Sequence, residues 1–349
     1  MLRWEKVNEN CIFAYLPEIE PIFGVFSLLE GESVHRLCSK IYGDEQISSW
    51  KHKYRSLFET YDAIKGISPL LFFDIILDVF SKDLTADRFK NYILSLPEDE
   101  RIYRQAEWEY ICGAKKKDIK KALTDDAALA SLYAKVEDKC PSFLAFSMFI
   151  RENNRFVEEF FSLAKELDSP ALSKALKAHE KDIESFKTTL IKNLETKDGL
   201  ECSQLLMGKT FHNQGPYEVF YFLPSLLLPY RCCRFYYYKT RPHNPQLLIN
   251  SIREMVKGSD DTISALKALG DETRYQILML LAKEGSVKGQ DIAKSLNLAP
   301  STVSHHMNEL KAQGLITEEP IKTAKYYGGS WNVVRELLET IEQDLKLKD

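Results

Sequence analysis

A short run near the carboxyl end of the chain carries side chains that suit contact with a hydrogen-bonding surface. Apart from its apolar positions, it consists of short or planar hydrogen-bonding groups followed by one cation: Ser301, Thr302, Ser304, His305, Asn308 and Lys311. A solvated helix face usually carries glutamate and lysine, whereas groups of this kind can approach base edges in the major groove of DNA. The run therefore predicts a DNA-contacting surface. Gln290, which precedes the run in the sequence, is predicted to contact DNA as well. The alternative is a surface that mediates only protein contacts.

Patterns that would indicate catalysis or a cofactor are missing from the sequence. Nine glycines precede residue 259 and no two are closer than seven positions, whereas phosphate-binding loops need clustered glycines. His305 and His306 are adjacent, so on a helix they point about 100° apart and do not easily share one metal ion. We expect His305 to contact DNA and His306 to pack internally. We predict no enzyme activity, no metal site and no cofactor.

The cysteines and the apolar segments indicate the cellular setting. Seven scattered cysteines without C-x-x-C spacing favour reduced, buried thiols and a cytoplasmic protein. Cys232 and Cys233 could together bind a soft ligand, but neighbours in a strand face opposite sides, and buried structural thiols are the simpler interpretation. The stretch from Val219 to Tyr230 contains two prolines and is too short to span a bilayer, so no membrane association is expected.

The polar run must be held outward by an apolar stripe on the other side of its helix. Val303, Met307 and Leu310 recur at i, i+4 and i+7, which predicts that stripe. A shorter helix from Gln290 to Leu296 comes before it. Asn297 then tolerates the left-handed backbone conformation that a tight turn requires. The two helices are predicted to form a helix-turn-helix.

An earlier helix and a hairpin complete this module. Asp271 can accept amide hydrogen bonds at the start of a helix from Glu272 to Ala282. The predicted core face of that helix consists of Tyr275, Ile277, Leu278 and Leu281. Leu315 to Glu319 and Ala324 to Tyr327 read as two strands of a wing. Its lysines, Lys322 and Lys325, can reach phosphates. The last helix, from Trp331 to Leu345, carries an apolar stripe typical of a helix that packs on a partner.

The segments ALGDETRYQILMLLAKEG and QDIAKSLNLAPSTVSHHMNELKAQGLI and the wing residues KYY resemble the ArsR family of winged helix-turn-helix repressors. The resemblance runs from Ala268 to Tyr327. It implies a recognition helix from Pro300 to Gln313, base contacts from the residues matching Ser301, Thr302, Ser304 and His305, and a two-fold dimer formed by the first and last helices of the module. The residues predicted to form that dimer are Ile263, Leu266, Val334, Leu338, Ile341 and Leu345.

The metal sites of that family do not carry over. Its arsenic and cadmium sensors have a Cys-x-Cys motif in the helix matching Lys288 to Leu296, and this chain has no cysteine after Cys233. Its zinc sensors have histidine on the last helix, and Trp331 to Asp349 contains none. The effector is therefore expected to be something other than a metal ion, and a small molecule is left open.

The charge of the module gives only weak attraction to DNA. Residues 259–349 contain 11 basic and 14 acidic side chains, and residues 288–325 contain five basic and four acidic ones. Because each neutralised phosphate adds to affinity, binding should be modest or strongly salt-dependent unless the remaining chain adds contacts.

The larger part of the chain comes before this module. We place the boundary at residue 258 and predict a mostly helical α+β region over 1–258, either one body or two subdomains, helical at 1–200 and strand-containing at 201–258. Single helices are predicted over Pro141 to Leu167 and Ala171 to Leu194. The aromatic residues between 217 and 239 either form a sheet core or line a ligand cavity.

The sequence as a whole predicts a mainly α protein with minor β content, in which a winged helix-turn-helix follows a large sensor or oligomerisation region. We expect a dimeric, sequence-specific regulator, most simply a repressor, that binds a double-stranded DNA operator. The alternative is an enzyme or ligand-binding domain fused to a DNA-binding module.

Overall fold

A computed structural model of the chain describes residues 3–31, 36–106, 108–208, 211, 214–237, 244–252, 259–321 and 324–347. It contains two compact units. The first comprises residues 1–195 with 215–252, and the second comprises residues 196–214 with 253–349.

The first unit is mainly helical. Its helices are α1 (Glu20–Glu30), α2 (Arg36–Tyr42), α3 (Asp44–Lys53), α4 (Arg55–Ile64), α5 (Ala86–Ser95), α6 (Glu98–Arg104), α7 (Trp108–Cys112), α8 (Lys116–Ala122), α9 (Asp126–Tyr133), α10 (Phe143–Arg151), α11 (Asn153–Leu167), α12 (Pro170–Ala178) and α13 (Glu180–Leu194). Short 3-10 turns cover Pro17–Ile19 and Phe73–Asp78. Phenylalanines from several of these elements pack together, as when the Phe72 and Phe160 rings meet edge to face 4.8 Å apart.

A five-stranded mixed sheet completes the first unit. Its strands are β1 (Trp4–Lys6), β2 (Cys11–Ala14), β3 (Val219–Ser225), β4 (Cys232–Tyr236) and β5 (Pro245–Ser251), in the order β1-β2-β3-β5-β4. The strands β2, β3 and β5 are parallel, and β1 and β4 are antiparallel edges. Because β2 pairs directly with β3, the division into subdomains 1–200 and 201–258 is wrong.

The aromatic segment forms the core of this sheet. Phe220, Phe222 and Phe235 are buried, and Tyr221 packs against Trp4 with ring centroids 5.6 Å apart. Tyr238 lies outside the described residues. Cys232 and Cys233 face opposite sides of β4, with only Cys233 fully buried. Burial raises the pKa of the Cys233 thiol to about 12, which makes it unreactive.

Each of the two predicted long helices is in fact a pair of helices. The first breaks at Glu152, next to Asn153, whose side-chain amide donates to the Phe149 carbonyl at 3.0 Å. The second breaks at His179, whose Nδ1 lies 2.8 Å from Asp182 Oδ2 at the start of the next helix. Local side-chain hydrogen bonds of a kind that competes with helix continuation thus lie at both breaks.

The second unit contains α14 (Gly199–Met207) and then, after β5, a compact module. The module consists of α15 (Ser259–Leu269), α16 (Glu272–Glu284), β6 (Val287–Lys288), α17 (Gly289–Ser295), α18 (Pro300–Ala312), β7 (Ile316–Ile321), β8 (Ala324–Gly329) and α19 (Trp331–Asp344). Its three strands lie in the order β6-β8-β7. This arrangement is a winged helix-turn-helix, and the predicted fold class is confirmed.

Candidate nucleic-acid interface

The two sides of α18 differ sharply in exposure. Val303, Met307 and Leu310 are buried in the core of the module, as predicted. The side chains at the remaining predicted DNA-contacting positions of this helix are all exposed: Ser301, Thr302, Ser304, His305, Asn308 and Lys311. We call these six residues the polar edge of α18. Exposure makes these groups available to a partner.

The turn before α18 fixes the direction of that helix. Asn297 has a φ of 53°, the left-handed conformation that the sequence predicted. The Leu298 amide donates to the Ala293 carbonyl at 2.9 Å and closes the turn. Pro300 then occupies the first turn of α18, where a missing amide donor costs nothing. Gln290 is exposed in the first turn of the preceding helix α17.

A carboxylate that the sequence analysis missed connects the far end of α18 to the wing. Lys311 Nζ lies 2.9 Å from the Glu318 carboxylate on β7. Glu318 is paired across the hairpin with Tyr327. Burial, followed by the Glu318 charge, raises the pKa of Tyr327 to about 12. Lys311 is therefore held by a carboxylate, and no spacing in the sequence indicated this contact.

The predicted phosphate contacts of the wing lysines fall partly outside the described residues. Lys322 lies outside the described residues, and only the backbone of Lys325 is described, on β8. Their contacts with phosphate stay a prediction. Lys288 on β6, a strand that the sequence analysis missed, lies over the Tyr326 ring with its Nζ 5.5 Å from the centroid.

The start of α16 follows one prediction and corrects another. Asp271 accepts a hydrogen bond from the Arg274 amide at 2.9 Å, which confirms it as the cap. That bond, followed by the charges of Arg274 and His306, lowers the pKa of Asp271. Tyr275 is 56% exposed, so its assignment to the core is wrong. Arg274 occupies the inner position instead and donates to the Ala268 carbonyl at 2.7 Å, at the end of α15.

The two adjacent histidines of α18 occupy different surroundings. His305 is exposed, whereas His306 is half-buried. The Nδ1 atom of His306 lies 3.6 Å from Asp271 Oδ1, which is longer than a hydrogen bond. His306 thus faces the start of α16 and not the polar edge.

Comparison with known proteins places this module in a family. Residues 271–318, from the Asp271 cap to Glu318, match the family described as "Bacterial regulatory protein, arsR family". An uncharacterized HTH-type transcriptional regulator, MJ1325 of Methanocaldococcus jannaschii, is 37% identical over 83 residues, which are 24% of this chain and 85% of the relative. The chain belongs to the arsR family.

Two further relatives of this arsR-family chain are named for opposite effects on transcription, one as a repressor and the other as an activator. The transcriptional repressor SdpR of Bacillus subtilis is 34% identical over 21% of this chain and 80% of its own length. The transcriptional activator HlyU of Vibrio cholerae is 32% identical over 27% of this chain and 85% of its own length. The arsR-family chain is therefore a DNA-binding transcriptional regulator, and these similarities leave most of its length unassigned.

The arsR-family module also carries exposed apolar side chains on two neighbouring helices. Ile263 and Leu266 on α15 are 49% and 41% exposed, and Leu338 on α19 is 53% exposed. Leu345, just past the end of α19, is exposed as well. Val334 and Ile341 are instead half-buried against the core of the module. Four of the six predicted dimer residues thus expose apolar surface that a single chain does not cover.

Two further kinds of feature bear on function, namely metal-binding clusters and membrane-spanning helices. Over the described ranges, no three histidine, cysteine, aspartate or glutamate side chains come together as a set that could hold a metal ion. No helix within the described part of the chain is long and apolar enough to cross a membrane.

Proposed function

We propose that the chain is a dimeric repressor that inserts the α18 helices of two copies into successive major grooves of an operator. The observation that carries this proposal is the division of α18 into a buried stripe and an exposed polar edge. Ser304 and His305 lie on that edge in the first half of the helix, the part that leads into the groove in helix-turn-helix proteins. Apart from Lys311, the groups on this edge are short or planar, so the helix backbone can approach the bases closely.

The second copy is proposed to cover the exposed apolar surface of α15 and α19. Ile263, Leu266, Leu338 and Leu345 contribute large apolar groups there, which a second identical surface would remove from water. A two-fold dimer presents its two recognition helices about 34–36 Å apart, which matches one turn of DNA. The operator is accordingly proposed to be palindromic.

Lysine contacts with phosphates are proposed to supplement base reading. Lys322 and Lys325 are the proposed contacts of the wing. Lys311 is the proposed contact at the end of α18, and it would have to exchange its Glu318 partner for a phosphate or share it. Because residues 288–325 carry only one excess positive charge, the phosphate contacts of the module alone are expected to give modest affinity.

The first test is a gel-shift titration of Ser304→Ala combined with His305→Ala against an operator found by genome-wide footprinting. Operator affinity should fall by about 1–3 kcal/mol because the groups that contact the bases are removed. Binding to a random duplex should stay unchanged. The matched control combines Ser286→Ala with Tyr275→Ala, two exposed side chains of the same module outside the polar edge. Unchanged operator affinity in the Ser304 and His305 variant would exclude these residues from recognition.

We further propose that the first unit senses a small molecule. A surface cleft of about 570 Å³ opens in this unit. Arg3, Tyr15 and Pro17 line one side of it, and residues of α12 and α13 line the other. Its lining includes Arg3, Lys177 and Lys181 together with Glu180 and Glu184, which suits a ligand with charges of both signs. A metabolite screen by thermal shift tests this on the full chain. A hit should lose its effect in Lys177→Glu with Lys181→Glu, and the absence of any metabolite that alters operator binding would contradict it.

The sign of regulation is proposed from one relative, the protein named a transcriptional repressor. The relative named an activator gives the opposite expectation. A reporter driven by the footprinted promoter distinguishes them. Transcription should rise when the gene for this chain is deleted, and a fall would make the protein an activator.

A further inference from the structure

The solvent side of α8, in the first unit, is covered by lysine. Lys117, Lys120 and Lys121 are exposed on the helix, and Lys115 is exposed just before it. Ile119 and Ala122 are buried and hold the opposite side of the helix against the unit. Exposed Lys135 comes just after α9 (Asp126–Tyr133), the helix that packs against α8. We call Lys115, Lys117, Lys120, Lys121 and Lys135 the lysine face.

No member of the lysine face forms an ion pair within the part of the chain that the structure describes. Some cations elsewhere in the first unit are paired. Lys116, on the same helix, lies 2.6 Å from the Glu100 carboxylate, and Lys65 lies 2.9 Å from Asp62. The lysine face thus brings together five exposed cations without a carboxylate partner among the described residues.

The carboxylates near the lysine face are already engaged. Asp118 accepts from the Lys115 backbone amide at 2.9 Å. Its pKa is lowered first by that bond and then by the charges of Lys117, Lys135 and Lys121. Asp125 caps α9 by accepting from Ala128 at 3.0 Å, and Asp126 pairs with Arg151 at 2.6 Å. These acids leave most of the positive charge exposed.

The spacing of these lysines is unfavourable for an isolated helix. Side chains three and four residues apart lie about 5–6 Å from each other, and like charges there repel. Lys117 has such neighbours at both Lys120 and Lys121. An anionic polymer with closely spaced charges relieves this repulsion and releases its own counterions on binding.

We propose that the lysine face binds the phosphates of duplex DNA and supplies the chain with a sequence-independent contact in addition to reading by α18. This inference rests on the proposed function. DNA is favoured over other polyanions because the protein is a DNA-binding regulator whose module carries 11 basic against 14 acidic residues. The lysine face would add phosphate contacts to the few that the lysines of this module are proposed to make.

The test compares two triple variants of the full-length protein. Lys117→Gln, Lys120→Gln and Lys121→Gln together remove three charges from the lysine face. Lys40→Gln, Lys174→Gln and Lys192→Gln remove three exposed charges from α2, α12 and α13 as the matched control. Fluorescence anisotropy measures binding to the operator and to a random duplex of equal length between 50 and 300 mM salt. Circular dichroism verifies that both variants are folded.

The affinity of the lysine-face variant for both duplexes should fall by the same factor, roughly tenfold or more near 0.1 M salt, since contacts with phosphate are independent of sequence. The slope of log affinity against log salt concentration should become shallower by about two to three, because each lost phosphate contact removes about 0.9 from its magnitude. The control variant should match the wild type.

Three outcomes would overturn the inference: an unchanged slope, an equal loss in the control variant, or binding of the lysine face to anionic lipid vesicles without any effect on DNA. Failure of the proposed function would look different. In that case Ser304→Ala with His305→Ala would leave the operator preference intact, whatever the lysine variants do.

Discussion

The two units of this protein use polar side chains in opposite ways. In the first unit, Asn153 is fully buried, accepts from Arg101 Nε at 2.7 Å, and donates to Gln105 at 2.8 Å. In the second unit, Ser304 and Asn308 are exposed on α18, and neither side chain forms a hydrogen bond within the described residues. Polar groups that are satisfied inside a unit hold its fold together, and polar groups left open on a rigid helix are available for a partner.

Within the first unit, a similar contrast applies to charge. Arg104 and Asp78 pair inside the first unit, where Tyr92 and Tyr237 also donate to the Asp78 carboxylate. These contacts, with burial opposing them, lower the pKa of Asp78. Among the described residues, the lysine face of α8 has no such partners. The polar edge of α18, apart from Lys311, presents polar groups to solvent, and the lysine face presents cations.

The largest expected effect comes from Asn153→Ala. It should lower the free energy of unfolding by about 3 kcal/mol, because buried Arg101 Nε and the buried side-chain amide of Gln105 lose the partner that Asn153 supplies. Chemical denaturation of the full chain, followed by tryptophan fluorescence, measures the change. Asn154→Ala is the matched control, since exposed Asn154 also accepts from Arg101 but can be replaced by water. Equal losses in the two variants would break the comparison.

The next largest effect is on assembly. Leu338→Ser should raise the dimer dissociation constant at least tenfold, about 1.4 kcal/mol, because it removes an apolar group from the proposed two-fold interface. Sedimentation equilibrium measures this change. Met279→Ser, at an equally exposed apolar position on α16, should leave the dimer unchanged. If the Leu338 variant had the same dimer dissociation constant as the wild type, α19 would be excluded from the interface.

A smaller effect is expected at the start of α16. Asp271→Ala should destabilise the module by about 1 kcal/mol through loss of the cap. Because the pKa of Asp271 is lowered in the folded protein, its charged form contributes stability above about pH 4, and this contribution is lost as the pH falls through the folded pKa. Asp271→Asn should keep the cap and flatten the acid dependence. Thermal melts from pH 2 to pH 7 test both expectations, and identical acid profiles for wild type and Asp271→Asn would contradict them.

The smallest expected effect is the change in stability when the polar edge of α18 is altered, and it separates polar groups that bind a partner from those that hold the fold. Ser304→Ala with His305→Ala should change the free energy of unfolding by less than about 0.5 kcal/mol, since both side chains are exposed and make no described hydrogen bond. Denaturation curves that overlay the wild type would separate recognition from folding. A loss comparable to that of Asn153→Ala would mean that the polar edge is structural.

The winged helix-turn-helix was largely predictable because its signals are local. The stripe of Val303, Met307 and Leu310, the left-handed Asn297 and the Asp271 cap each depend on residues only a few positions apart. The prediction failed at Tyr275, where the neighbouring Arg274 occupies the inner position by capping α15. A long side chain that bonds to another helix is not visible in hydrophobic spacing.

The first unit was less predictable because its determinants are distant in sequence. The pairing of Cys11 with Phe220 and the bond from Arg101 to Asn153 join segments that no local pattern relates. The Lys311 contact with Glu318 depends on how the wing folds back towards α18. The polar edge could be proposed from sequence because a surface site needs only an exposed face and suitable side chains.

The most direct test of the account is a base-substitution profile of the operator. Every base pair of one half-site is replaced in turn, and wild type and the Ser304→Ala, His305→Ala variant are titrated against each duplex. The account predicts that the variant loses discrimination at one or two base pairs, by about 1–3 kcal/mol each, and keeps the wild-type profile elsewhere. Identical profiles for the two proteins would contradict the claim that the polar edge of α18 reads the bases.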